Sequence, residues 1–441
     1  MTSRTERVGP DLGAVVGPSR IELLHLILTR ACNLRCGYCY QIRGQPGRMG
    51  WEVLRRAIDW ALGVTRPGLE VVFSGGEPLL EMCQIRRAVA YAEEHALPER
   101  PLQWILLTNG LRLDDEAVEF LARHAFDIQL SLDGLPPSQD LRAPGTFAIL
   151  DHRLDHLRSV YPEYQRKHLT VAITVTPQAV PWLADSVAYL LEKGVPRIGL
   201  TPALGIAETW DPARIDELGG QLERIEELSR SRFPGDGEIP LLFLRGGTPD
   251  APPETGCEAM CGVMSAVTPA VDVDGWIYGC ALLVEPALAA ASHWLRDELR
   301  RLRIGHISDP ALDERWAEFA ERAAQAAILN RKGRRGSVYG RCAECATLES
   351  CGVCPVAIGL QAGNTDPDRI PDFPCAFAQV LSRTRERFLS ATAGAARGEA
   401  DGGTRRLPDL PERFRDRPEV RVAMKRIQAF CEAASRVTGR T

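Results

Sequence analysis

The stretch Thr29–Tyr40, TRACNLRCGYCY, spaces Cys32, Cys36 and Cys39 as Cys-x3-Cys-x2-Cys directly after the apolar run Glu22–Leu28, ELLHLIL. A short apolar run bounded by turn residues reads as a buried strand. The three thiols therefore leave the end of a strand on one loop, where they can close on one small object. Structural zinc wants four protein ligands, and the loop offers no fourth Cys or His. A thioredoxin-type redox motif has two cysteines, not three. Three thiolates suit a [4Fe–4S] cluster with one iron left open, and an open iron can bind a small molecule and pass it an electron.

Around this loop the chain alternates between two periods. Further β-rich runs stand at Glu70–Phe73 (EVVF), Trp104–Leu107 (WILL), Asp127–Leu132 (DIQLSL), Leu169–Val175 (LTVAITV) and Arg197–Thr201 (RIGLT). Between them Trp51, Leu54, Ile58, Ala61 and Leu62 mark one helical face, and similar stretches cover roughly 80–95, 114–124, 146–160 and 180–193. Such repetition predicts an α/β fold, a parallel sheet covered by helices. Six units fit a partial (βα)6 TIM-like barrel, with the chemistry at the C-terminal ends of the strands.

Beyond the sixth strand the character changes. A Pro/Gly-rich stretch reads as a boundary with one strand at Leu241–Leu244. A Cys-rich segment follows, interrupted by a charged helical insert from Ser292 to about Lys332. The expected organisation is a flexible tail (1–20), the barrel (21–232), a linker (233–256), a Cys-rich domain (257–390), and a flexible linker with a C-terminal amphipathic helix (391–441). That helix carries Val420, Met424, Ile427, Cys431 and Ala434 along one stripe.

The 441 residues hold 53 basic and 58 acidic side chains, a net charge of −5, which gives no reason to expect a nucleic-acid partner. No apolar run reaches the length of a membrane span. The first twenty residues lack the apolar stretch of a signal peptide, so the expected location is the cytoplasm. In that reducing compartment thirteen cysteines at short spacings point to metal rather than disulfides.

Cys32, Cys36, Tyr38 and Cys39 match the Cys-x3-Cys-x-aromatic-Cys pattern of the radical S-adenosylmethionine (radical SAM) enzymes, and the resemblance covers roughly residues 21–232. That family has a partial (βα)6 barrel. The resemblance implies that Ser74–Pro78, SGGEP, contacts the amino group of S-adenosylmethionine through Gly75, Gly76 and Glu77. It also implies that Ser131, in Ser131-Leu132-Asp133-Gly134, reaches the ribose or carboxylate. Arg142 pairs with the carboxylate in this reading; a solvated loop charge is the equal alternative. Tyr38 and Leu200 would lie near the adenine, with core packing the simpler role for Leu200.

Eight later cysteines resemble the SPASM extension of such enzymes: Cys257, Cys261, Cys280, Cys342, Cys345, Cys351, Cys354 and Cys375, with Gly275-x4-Cys280 and Cys342-x2-Cys345-x5-Cys351 in the family's spacing. Cys354 follows Cys351 after two residues where the family has three. Zinc ions are the alternative occupants. Carried over, Cys257, Cys261, Cys280 and Cys354 would hold one auxiliary [4Fe–4S] cluster and Cys342, Cys345, Cys351 and Cys375 a second. Cys83 and Cys431 remain, both expected as buried thiols on helical faces, and His306 reads as a packing residue.

The resemblance implies reductive cleavage of S-adenosylmethionine to a 5′-deoxyadenosyl radical, with a flavodoxin- or ferredoxin-type electron donor. The expected substrate is a ribosomally made precursor peptide, cross-linked through a thioether or a carbon–carbon bond, with leader recognition by a separate protein or by direct docking. The sulfatase-maturing branch places an Asp base directly after the Gly-x4-Cys cysteine. Ala281 stands there, which lowers that alternative. A small-molecule dehydrogenase or epimerase and a non-catalytic scaffold are the other readings.

Overall fold

The computed structural model describes residues 21–41, 47–63, 68–96, 101–203, 210–233, 238–245, 263, 267–284, 296, 301–325, 342–345, 351, 353–354, 356 and 372–395. Six parallel strands open it: β1 (Leu23–Thr29), β2 (Glu70–Gly75), β3 (Gln103–Thr108), β4 (Asp127–Ser131), β5 (Leu169–Val175) and β6 (Ile198–Pro202). Three more follow, β7 (Ala270–Val271), β8 (Trp276–Tyr278) and β9 (Arg303–His306), giving one sheet ordered β6-β5-β4-β3-β2-β1-β7-β8-β9. Helices α1 (Trp51–Gly63), α2 (Met82–His95), α3 (Asp115–Arg123), α4 (Pro136–Arg142), α5 (Phe147–Val160), α6 (Pro162–His168), α7 (Leu183–Glu192) and α8 (Pro212–Arg232) connect or follow the parallel strands. Helices α9 (Leu312–Gln325) and α10 (Asp372–Ala395) come later. This is the expected α/β partial barrel. Among the described residues no helix is long and apolar enough to cross a membrane.

Strand pairing divides the side chains between two faces. Phe73, Trp104 and Phe126 stack in sequence beneath the helices, with ring centroids 5.5 to 6.1 Å apart. Leu54, Ala57, Ile58 and Ala61 of α1 are buried in the same core, as the helical spacing predicts. On the other face Ile105 and Leu107, Gln129 and Ser131, and Thr170, Ala172 and Thr174 are only half-buried, so the concave side of the sheet stays open. Helix starts follow local chemistry. Asp114 accepts from the Ala117 N–H and Asp211 from the Arg214 N–H, satisfying donors that the first turn leaves unpaired.

The sheet does not stop where the barrel does. Strand β7 runs parallel to β1, with His25 opposite Ala270 and Leu26 opposite Val271. Strand β8 returns antiparallel through the turn Asp272–Gly275, and β9 pairs with β8. The Asp272 carboxylate accepts from the Asp274 and Trp276 N–H groups inside that turn. His306 closes it from β9, bonding the Asp274 carbonyl at 2.8 Å and the Ser308 hydroxyl at 2.6 Å.

Three expectations are corrected here. Leu242–Leu244 is a single 3-10 turn rather than a strand, because only Leu241 bridges to Ile198 of β6 before the chain bends away. The charged insert contains β9 as well as a helix. Cys83 is exposed on α2, since Ile85, Ala88, Val89 and Ala92 supply that helix's buried face. The expected tail (1–20), Cys431 and the C-terminal helix lie outside the described residues, as does most of 233–256.

His25 makes the fold sensitive to acid. Its Nδ1 is buried without a hydrogen-bond partner, and burial lowers its pKa from 6.5 to about 4. The unfolded chain then takes up a proton where the folded chain does not. Stability from this group is full above about pH 6.5 and is lost as pH falls toward 4, a change of about 3 kcal/mol. Urea unfolding of His25→Phe between pH 7 and 4 is expected to show a loss smaller by about that amount; an unchanged loss would clear His25 of the effect.

Candidate functional site

At the C-terminal ends of β1 to β4 the loops leaving these strands meet. The loop after β1 carries Cys32, Cys36 and Cys39; Cys32 and Cys39 are exposed, Cys36 is half-buried, and none forms a disulfide. The glycines ending β2 lie directly against it. The Gly76 N–H donates to the Thr29 carbonyl at 2.8 Å and the Glu77 N–H to the Ala31 carbonyl at 2.9 Å. A Cβ on Gly75, whose φ is +134°, would sit 2.3 Å from the Thr29 carbonyl oxygen, and one on Gly76 would sit 2.1 Å from that of Ala31. Only glycine lets these two backbones touch.

Glu77 is fully buried and turns toward β3. Its Oε1 accepts from the Leu79 N–H and the Thr108 hydroxyl, and its Oε2 from the Asn109 N–H at 2.8 Å. Burial pushes its carboxyl up; the three donors pull it back. The Glu77 side chain therefore joins β2 to β3. Sequence reading assigned Asn109 no role, although Thr108-Asn109-Gly110 ends β3 as SGGEP ends β2.

On the opposite side the loop is tied down by charge. The buried Tyr38 hydroxyl donates to Asp133, which ends the β4 motif. Arg142 donates to the same carboxylate through Nε at 3.2 Å and Nη2 at 2.8 Å, and Nη2 also reaches the Thr174 hydroxyl. Arg142 is thus a buried partner of Asp133 rather than a solvated loop charge, and two of its three nitrogens are committed within the protein. Ser131 ends β4 half-buried on the concave face. Leu200 pairs with the fully buried Ile173 and packs against the main core.

The later cysteines separate into two neighbourhoods. Cys342, Cys351 and Cys375 pack against Val353, whereas Cys280 and Cys354 pack against the main core. Cys345 follows Cys342 in one turn, its N–H bonding the Cys342 carbonyl at 3.0 Å. Cys257 and Cys261 lie outside the described residues. The helix bearing Cys375 docks on α8 through Arg387, which pairs with Glu223 at 2.9 Å and Glu226 at 3.1 Å.

Among the described residues no three His, Cys, Asp or Glu side chains converge closely enough for a single ion. An iron–sulfur cluster asks for something different, one thiolate per iron. The first loop fits that demand. Burial pushes the Cys32 and Cys36 thiols up as free groups, and each also feels the charge of Cys39. Bound iron would supply the positive charge that keeps them thiolates. The Cys32 sulfur already accepts from the Leu34 N–H at 3.4 Å and the Asn109 amide at 3.8 Å.

Residues 26–215 match the family model of the Radical SAM superfamily, so the barrel is a radical SAM domain. An uncharacterized protein of Methanocaldococcus jannaschii is 30% identical over 183 residues, 40% of this chain and 60% of its own length. A GTP 3′,8-cyclase of Streptomyces coelicolor is 38% identical over 122 residues, 26% of this chain and 33% of its own. The chain thus spans less than two thirds of the length of either relative. In fold it resembles anSMEcpe with bound AdoMet and Cp18Cys peptide, at a TM-score of 0.65 and 18% identity over 85% of this chain and 99% of that one. Streptococcus suis SuiB bound to precursor peptide SuiA follows at 0.52 and 17%, over 80% and 76%.

Two substitutions probe the site. Gly76→Ala is expected to push the cysteine loop off β2 and to lower iron after reconstitution by about four atoms per chain. Asp133→Ala leaves the Arg142 guanidinium buried and unpaired and should cost about 3–5 kcal/mol in urea unfolding.

Proposed function

We propose that this chain is a radical SAM enzyme that modifies a ribosomally made peptide, forming a thioether or a carbon–carbon cross-link. The observation that carries the reading is the joining of the three-thiol loop to the glycine backbone of SGGEP at the mouth of a radical SAM barrel. The fold likeness to two proteins whose structures hold peptides supports the substrate class.

In this reading Cys32, Cys36 and Cys39 would hold a [4Fe–4S] cluster, and Gly75, Gly76, Tyr38 and Ser131 would bind S-adenosylmethionine. Together these groups supply the one-electron cleavage of a carbon–sulfur bond that makes a hydrogen-abstracting radical, chemistry that side chains lack. The protein's part is placement. Asp133 and Arg142 hold the Tyr38 ring still, and Glu77 locks the end of β2 to β3. Gln129, half-buried on the open concave face, offers hydrogen-bonding groups to a substrate backbone.

In the same reading residues 257–390 are the SPASM part, whose cysteines would hold auxiliary clusters able to take up the electron that the oxidised substrate must lose. The clustering of Cys342, Cys351 and Cys375 apart from Cys280 and Cys354 supports the division into two auxiliary clusters. A reduced flavodoxin or ferredoxin supplies the first electron, and a separate protein or direct docking presents the leader. The GTP cyclase relatives favour a second reading, a small-molecule substrate; one in Mycobacterium sp. matches over 316 residues at 26% identity, covering 66% of this chain.

Reconstituted protein is expected to bind about twelve irons per chain and to form 5′-deoxyadenosine from S-adenosylmethionine under reductant. About four irons would remove the auxiliary clusters. A precursor peptide encoded beside the gene should lose two hydrogens by mass spectrometry. Turnover of a nucleotide with no change in the peptide would favour the small-molecule reading.

A further inference from the structure

Cys32 differs from an ordinary exposed thiol in what surrounds its sulfur. The loop's own Leu34 N–H points at it from 3.4 Å, and the Asn109 side chain reaches across from the end of β3 to 3.8 Å. The orientation of that amide follows from its surroundings. Asn109 Oδ1 accepts the Leu111 N–H at 3.1 Å, so the NH2 group must be the end that faces the cysteine loop. There Nδ2 also donates to Asn33 Oδ1 at 2.8 Å. The backbone of Asn109 is held as firmly: its N–H donates to the buried Glu77 carboxylate at 2.8 Å, and Thr108 anchors to the other oxygen at 2.7 Å. A fixed backbone, a fixed amide orientation and a second acceptor on the same loop leave this donor little freedom.

We propose that Asn109 is a positioning residue for the first cluster, donating a hydrogen bond to the Cys32 thiolate and thereby raising the potential at which that cluster accepts an electron. The inference rests on the cluster assignment made above. Reduction adds negative charge to iron and sulfur, and an N–H dipole aimed at sulfur stabilises the more negative state more. A hydrogen bond to a charged group is strong enough to matter on this scale. Glu77 acts one step further back, by holding Asn109 in place.

The test is a redox titration of reconstituted protein, followed by the electron paramagnetic resonance signal that changes when S-adenosylmethionine is added, which separates the first cluster from the auxiliary ones. Asn109→Ala and Asn109→Asp both remove the donor; Asp keeps the shape and adds charge. At the wild-type midpoint the reduced-to-oxidised ratio should fall about tenfold in Asn109→Ala, a midpoint about 59 mV more negative, and at least as far in Asn109→Asp. Midpoints equal to wild type in both variants, with iron content unchanged, overturn the inference. So does loss of the signal from both variants with circular dichroism unchanged, which would make Asn109 necessary for cluster assembly instead. A wild-type protein without any signal responsive to S-adenosylmethionine would overturn the cluster assignment itself.

Discussion

The backbone contact between the glycines ending β2 and the loop leaving β1 is the constraint on which the site depends. Two hydrogen bonds, from Gly76 to Thr29 and from Glu77 to Ala31, hold the strands' continuations together past the end of the ladder. Neither position tolerates a Cβ, because it would meet the Thr29 or Ala31 carbonyl oxygen at 2.3 or 2.1 Å, well inside van der Waals contact. The pairing of β1 with β2 reaches as far as Thr29 opposite Gly75, with an irregular step after Ile27 that re-aims the chain toward the first cysteine. Loop geometry at this mouth is thus inherited from the sheet beneath it.

Charge secures the same loop from two other directions, buried at the end of β4 and partly exposed at the β7–β8 turn. Asp133, Arg142 and Tyr38 form a closed group at the end of β4, and Arg30 reaches Asp274 at 2.8 Å and Asp272 at 3.7 Å in the turn between β7 and β8. Burying such groups is costly unless they are paired, and pairs of this kind tend to fix one arrangement rather than add much stability. Here they fix the cysteine loop relative to the barrel on one side and to the Cys280 hairpin on the other. Because β7 pairs directly with β1, the hairpin leading to Cys280 is a continuation of the barrel sheet. The path between the first cysteine loop and Cys280 therefore runs through hydrogen-bonded strands.

Much of this was legible in the amino-acid order. Six apolar runs became six parallel strands because each is short, β-rich and bounded by turn residues, and Leu169–Val175 matches its strand end to end. Other elements were not legible. Strand β9, RIGH, hides in a charged segment; it exists because β8 offers it a ladder, and short strands take their stability from partners distant in sequence. Leu241–Leu244 has the composition of a strand but meets β6 at one residue only. The apolar pattern of α2 suggested a buried Cys83, yet Ile85, Ala88, Val89 and Ala92 form its buried face and Cys83 is exposed.

The sequence by itself determined the cysteine spacing, the glycines and the strand–helix alternation, since these depend on neighbours within a few residues. Tertiary structure alone decided which strand ends meet. It made Glu77 the tie between β2 and β3, gave Arg142 to Asp133, and brought Asn109 to the sulfur of Cys32, 77 residues away in the chain. Spacing can place a donor at the end of a strand; only the packing of neighbouring strands settles what its N–H will face.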